Sequence, residues 1–161
     1  MTYRHHKEAN AIVHATPENL FAYLDDQARL GAHMEKPSAM MMGGQMKYQF
    51  DSANGQAVGS VIKMSGSFLG IELSVEEVIT ECDSPRRKIW ETRGHPQLLI
   101  IRAYRMGFET ISVDQSSRLR IFIEYDYPRD IRGCILGELF GSAYARWCVK
   151  RMAEDAARHF K

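Results

Sequence analysis

Hydrophobic positions divide the chain into a long alternating part and a final helical part. Between about Gly133 and Phe160 there is no proline, and after Gly141 there is no glycine. Leu136, Leu139, Phe140, Ala143 and Trp147 recur there at three- and four-residue steps, the spacing of one helical face. This predicts a helix of roughly 40 Å, at about 1.5 Å per residue, with those five side chains turned inward. The stripe stops near residue 148, because Lys150, Arg151 and Glu154 fall on the same azimuth.

Everything before that helix alternates with a period of two or turns sharply. Residues 8–15 predict a first strand. Thr16 and Pro17 then suit the cap and first position of a helix that buries Leu20, Phe21 and Leu24 and ends near Asp25-Asp26. A second short helix is expected over Gln27 to Met34. Strands follow, with Met46, Tyr48 and Phe50 on one face, then a hairpin at Asn54-Gly55 and a strand over 56–67. Ile71, Leu73 and Val75 alternate next. A shift at Glu76-Glu77 lets Val78 and Thr80 continue the pattern, as a bulge would. Asp83-Ser84-Pro85 turns the chain into a strand over 88–93 that holds Trp90.

The run 97–113 has two competing parities. The even set is Leu98, Ile100, Arg102, Tyr104, Met106 and Phe108; the odd set is Leu99, Ile101, Ala103, Arg105 and Gly107. The even set is placed inward as far as Phe108, and Ile111 and Val113 take over after a bulge. Leu119, Ile121, Ile123, Tyr125 and Tyr127 then share one face of the clearest strand, which Pro128 ends. The resulting expectation is an α+β domain: a curved seven-stranded antiparallel sheet around a long C-terminal helix, with two short helices after strand one. No internal repeat, low-complexity tract or linker breaks residues 1–161, so they form one domain.

Composition narrows the functions available. With 161 residues, 21 basic and 20 acidic, the net charge is +1, too small to draw nucleic acid. No apolar run approaches the roughly 20 residues of a membrane span, and the polar start lacks the apolar run of a signal peptide. Three cysteines without a CxxC pair suit reduced thiols, so a cytoplasmic protein is expected. Met40-Met41-Met42-Gly43-Gly44 is a cluster of flexible apolar side chains, read as a plug for one end of the core or the lip of a pocket.

No phosphate loop, zinc spacing or nucleophile motif is present, so no catalytic residue, metal ligand or cofactor is assigned. His5-His6 read as a polar tail, and His95, beside Gly94 and Pro96, as a strand-to-strand turn at the sheet rim. The candidate ligand-binding set is Trp90, Arg102, Tyr104, Met106, Ile123, Tyr125, Phe140 and Trp147, placed between sheet and helix. Aromatic-lined cavities with a few polar handles are characteristic of small-molecule sites. An inward Arg102 demands an anionic partner, either a carboxylate such as Glu72 or Glu91 or one on a ligand; with the odd parity inward, Arg105 takes that place.

The order strand, two short helices, six strands, long helix, with Ala15-Thr16-Pro17-Glu18-Asn19-Leu20-Phe21-Ala22-Tyr23-Leu24-Asp25-Asp26 after strand one, resembles the START-like superfamily. Gly59 to Trp90, with Gly70, Val78, Pro85 and Trp90, and Tyr125-Asp126-Tyr127-Pro128 before the last helix are similar too. The group includes birch-pollen allergens, lipid-transfer domains and polyketide cyclase/dehydrase proteins. The resemblance implies a helix-grip fold and an internal apolar cavity, but no particular reaction. The function expected is binding of a small hydrophobic or amphipathic molecule, a lipid, polyketide or aromatic acid, as carrier or sensor. A cyclase/dehydratase-like enzyme and a protein-interaction module of chaperone-activator type are the alternatives, and the oligomeric state is open.

Overall fold

A computed structural model describes residues 2–35 and 44–161, so the methionine cluster at 40–42 lies outside the described residues. Seven strands form one antiparallel sheet in the order β1-β7-β6-β5-β4-β3-β2. They are β1 (His5–Val13), β2 (Gln45–Phe50), β3 (Val61–Phe68), β4 (Ile71–Asp83), β5 (Arg87–Gln97), β6 (Ala103–Val113) and β7 (Ser116–Asp126). Three short helices, α1 (Pro17–Asp25), α2 (Gln27–Leu30) and α3 (Ala32–Glu35), separate β1 from β2. The chain ends in α4 (Ile131–Leu136), a π-helical turn at Gly137–Gly141 and α5 (Ser142–His159), one continuous helical rod.

Local chemistry explains most boundaries. The Thr16 hydroxyl accepts from the Asn19 amide and Pro17 opens α1, as the capping pattern predicts. The expected second helix is broken at Gly31, because the Tyr48 ring occupies the space a β-carbon would need and its hydroxyl donates to Gly31 O at 3.3 Å. The expected hairpin at Asn54-Gly55 is instead a longer loop over 51–60, though both residues have positive φ, 52° and 73°. The Asp51 carboxylate organises that loop, accepting from the Ser60 hydroxyl at 2.6 Å and the Val61 amide at 2.9 Å. His5 and His6 belong to β1 and not to a tail: the β1–β7 ladder pairs His5 with Tyr125, and the His5 ring stacks 4.1 Å from that of Tyr127.

The competing parities over 97–113 are resolved by the β6–β7 ladder, which runs unbroken from Ala103–Asp126 to Val113–Ser116. Tyr104, Met106, Phe108 and Thr110 are buried, while Arg105 takes the outer face and pairs with Glu124 at 3.2 Å. No bulge follows Phe108, so Ile111 is exposed and Thr110 points inward, its hydroxyl donating to Pro85 O. On β4 the inward set is Val75, Glu77 and Ile79, not Val78 and Thr80. The register irregularities lie elsewhere, between Ser74 and Glu76 and between Ile79 and Glu81. The first places the extra residues on β5, at 94–96, so His95 belongs to a bulged strand and not to a turn.

The C-terminal helix turns a different face to the sheet from the one its large residues suggest. Leu136, Leu139 and Phe140 are exposed, as is Ala143. The buried row is Gly133, Gly137, Gly141, Ala145, Cys148, Val149, Met152, Ala153 and Ala156. The reason is the Tyr127 ring, against which the helix lies directly. A β-carbon at Gly137 would stand 2.7 Å from Tyr127 Cδ1, closer than packed atoms tolerate. A stripe of glycine lets the helix approach where any larger face would hold it off.

One buried ion pair ties the helical layer to the sheet. Lys88 is fully buried on β5, and its ammonium donates to the carboxylate and to the main-chain oxygen of Asp25 at the end of α1. Beside it, Phe21 of α1 meets Phe108 edge-on at 5.3 Å.

These packing assignments predict opposite outcomes for two helix substitutions. Gly137→Leu drives a side chain into Tyr127 and is expected to cost about 1–3 kcal/mol. Leu139→Ser, on the exposed face, changes stability by less than about 0.5 kcal/mol. Urea denaturation of the two variants measures both, and the reverse ranking would show that the other face is buried.

Candidate functional site

Beyond Glu91 and Arg105 the β5–β6 ladder stops. The Tyr104 amide is accepted by the Thr92 hydroxyl at 3.2 Å, and residues 98–102 loop across the opening. Behind that loop lies a cavity of about 120 Å³ between the concave sheet face, α3 and α5. Its walls are almost wholly apolar. Met46, Met64, Val75 and Met106 contribute from the sheet, Leu98 to Ile101 from the loop, and Tyr144 and Cys148 from the helix.

Of the eight candidates from the sequence, Tyr104, Met106 and Ile123 line this cavity. Trp90 and Tyr125 are buried in the same core cluster but are not part of the lining. Phe140 is exposed, and Trp147 is half-buried beside the His33 ring, with centroids 5.1 Å apart. Arg102 lies in the loop before β6, where its amide donates to Asp126 O at 2.8 Å. It is not part of the lining, so the cavity wall described here carries no guanidinium from either Arg102 or Arg105.

The group that sequence reasoning missed is Glu77. It is buried on the inner face of β4, where the Tyr104 hydroxyl donates to its Oε1 and the Trp90 indole N–H stands near enough to favour the ionised form. Burial raises its carboxyl to about 7, against the lowering effect of those two donors. Both donors are neutral. A cation, such as the one Lys88 supplies to Asp25, would have kept the carboxylate ionised. Tyr48, Tyr104 and Tyr144 stand near enough to Glu77 that its charge further raises phenols already raised by burial. Cys148, close to Tyr144, has its thiol pushed up to about 12 by burial. The available signal was the even parity of 104–108, which places Tyr104 inward and therefore requires a partner for its hydroxyl.

A second buried titratable group, His33, sits on α3. Its Nδ1 is 3.2 Å from Leu30 O, and among the described residues its Nε2 meets no hydrogen-bond partner. Burial lowers it from 6.5 to about 4. Among the described residues no cluster of three His, Cys, Asp or Glu side chains gathers, and no helix is long and apolar enough to cross a membrane.

Glu77 and His33 pull stability in opposite directions as pH changes. The folded state holds the Glu77 proton more tightly than the unfolded chain does. Its contribution is therefore fully present below about pH 4.5 and is lost as pH rises through about 7. The folded state holds the His33 proton less tightly, so that contribution is present above about pH 6.5 and is lost as pH falls through about 4. Each is worth at most about 3 kcal/mol, and they offset one another between about pH 4.5 and 6.5. Unfolding free energy should therefore be nearly flat across that window. In Glu77→Gln it should climb with pH, and in His33→Gln it should fall. Denaturant titrations at several pH values test this, and a Glu77→Gln protein without the climb would contradict the assignment.

No protein-family model matches the chain, and no curated protein matches it in sequence. Solved structures do match, over nearly its whole length. The Zhui aromatase/cyclase of Streptomyces sp. R1128 superposes with a TM-score of 0.64 at 12% identity, covering 98% of this chain and 96% of that one. A major latex-like protein of Panax ginseng gives 0.57 at 12%, covering 97% of each. Norcoclaurine synthase of Thalictrum flavum, in complex with dopamine and hydroxybenzaldehyde, gives 0.63 at 13%, covering 96% of this chain and 85% of that one. With its curled seven-stranded sheet and long C-terminal helix, the chain has the helix-grip fold of these START-like proteins.

Proposed function

We propose that this protein binds a small, mainly apolar molecule in the cavity between the sheet and the C-terminal helix, as a carrier or sensor. The observation that carries this reading is the cavity itself: an apolar space lined by Tyr104, whose hydroxyl is paired with the buried Glu77. Size selects among the ligand classes. Sites for drug-sized ligands span roughly 300–1,000 Å³, whereas an engineered apolar cavity of about 150 Å³ accepts benzene. A space of about 120 Å³ therefore favours a one-ring molecule over a lipid or an extended polyketide. The absence of Arg102 from the wall, with Glu77 close by, disfavours an aromatic carboxylate and leaves a neutral ring. The dopamine and hydroxybenzaldehyde held by norcoclaurine synthase are one-ring molecules bound to the same fold.

An enzyme of the cyclase/dehydratase kind is the second reading, and one observation favours it. Such chemistry requires an inward pair of titratable groups able to move a proton, and Tyr104 with Glu77 is such a pair. The interaction-module alternative gains nothing comparable, since the outer face of β7 is occupied by charge pairs such as Arg120 with Glu8 and Glu109.

Toluene tests the binding reading. It should raise the melting temperature saturably, by mass action on the native state, and change the emission of Trp90, which touches the polar end of the site through Glu77. Val75→Phe fills the cavity and should abolish the shift while leaving the protein folded. A wild-type protein that shows no saturable response to toluene would remove the cavity as a binding site.

A further inference from the structure

Tyr104 is the one tyrosine that both lines the cavity and hydrogen-bonds a buried carboxylate among the described residues. A phenol has a single proton and accepts through its oxygen lone pairs, whereas an ionised carboxylate only accepts. While Glu77 is ionised, the Tyr104 proton is committed to Glu77 Oε1, and only oxygen lone pairs remain for a ligand. Once Glu77 carries a proton, the acid can donate to the Tyr104 oxygen. The phenol proton is then free to turn toward the cavity. The hydroxyl thus offers an acceptor in one state and a donor in the other.

We propose that Tyr104 is a polar subsite for a single oxygen substituent on a one-ring ligand, and that the proton on Glu77 decides which substituent it accepts. Ionised Glu77 selects a hydroxyl that donates, as in a phenol. Protonated Glu77 selects a carbonyl that accepts, as in an aryl ketone or aldehyde. The inference rests on the cavity being a ligand site, and adds the chemistry of the ligand.

The surroundings of Glu77 support this assignment. The Trp90 indole on β5, near Glu77, can only donate and cannot accept. Tyr48 on β2 directs its hydroxyl to Gly31 O at 3.3 Å and to the Met34 sulfur at 3.7 Å. On α5, Tyr144 and Cys148 stand close to each other. Neither Tyr48 nor Tyr144 hydrogen-bonds Glu77, so Tyr104 alone couples its proton to the cavity. The charge influences reaching these tyrosines come from Glu77, Cys148, the neighbouring tyrosines Tyr48 and Tyr144 and, for Tyr48, Glu35 on α3. No cation acts on Glu77 among the described residues, so its proton can leave and return close to neutral pH, where burial has placed it.

Three one-ring probes distinguish the outcomes: toluene, phenol and acetophenone, titrated by calorimetry at about pH 6 and about pH 8, on either side of the Glu77 proton. Acetophenone should bind roughly fivefold more tightly at the lower pH and phenol roughly fivefold more tightly at the higher, the worth of one hydrogen bond. Toluene should not change. Glu77→Gln, which cannot titrate, should flatten both trends, and Tyr104→Phe should make the affinity of all three probes independent of pH while toluene still binds. Where Tyr104→Phe does not fold, the wild-type and Glu77→Gln comparison decides alone. If toluene binds but phenol and acetophenone follow it at both pH values, or if the opposite trends survive in Glu77→Gln, the subsite is overturned and the apolar cavity stands. If toluene does not bind either, the binding reading fails with it.

Discussion

The cavity depends on the point where β5 and β6 stop pairing. A ladder continued past Glu91–Arg105 would carry the sheet wall straight across the space. It ends because the Thr92 hydroxyl takes the Tyr104 amide that a strand partner would have used, and β5 then bulges through Gly94, with φ of 70°. The residues released from pairing, 98–102, must cross from one strand to the other, and Leu98 to Ile101 line the gap. The same hydrogen bond fixes Tyr104 at the seam, where a side chain can meet both the apolar space and the inner face of β4.

Two charged residue types are buried in this core, and their partners give them different chemistry. Lys88 meets the carboxylate and the main-chain oxygen of Asp25, so its ammonium is paired and hydrogen-bonded and serves to hold α1 against the sheet. Glu77 meets only neutral donors, Tyr104 and Trp90. A buried carboxylate without a counter-cation is costly and retains its proton to a higher pH. One is a structural clamp. The other is a reservoir for a proton beside an apolar cavity, and the position of that proton fixes the hydrogen-bond character of the Tyr104 hydroxyl.

Contact between the C-terminal helix and the strands is set by small residues. Gly137 and Gly141 admit the Tyr127 ring, which brings the following α5 onto β1 and β7 closely enough for Ala145, Val149 and Ala153 to pack. Tyr144 and Cys148 reach the cavity as a result. The large residues Ile135, Leu139 and Phe140 are left on the opposite side, exposed.

Alternation and capping alone carried the seven strands, the α1 cap at Thr16-Pro17, the C-terminal helix and its grip on a curved sheet, because each is a local pattern repeated over many residues. The inward set Tyr104, Met106 and Ile123 followed from the same period. Three features required the tertiary structure. The buried helix face could not be read, since glycine scores as neither apolar nor polar, and its value lies in the ring of Tyr127, ten residues before Gly137. Arg102 could not be placed, because its orientation depends on where β6 begins, and the Tyr104 amide and Thr92 hydroxyl decide that across the sheet. From the sequence, Glu77 belonged to an expected bulge at Glu76-Glu77, with Val78 and Thr80 continuing the inward pattern. It faces inward because the bulges fall at Gly94–Pro96 and Thr80, and it remains there because Tyr104, distant in sequence, supplies the hydrogen bond that a buried carboxyl needs.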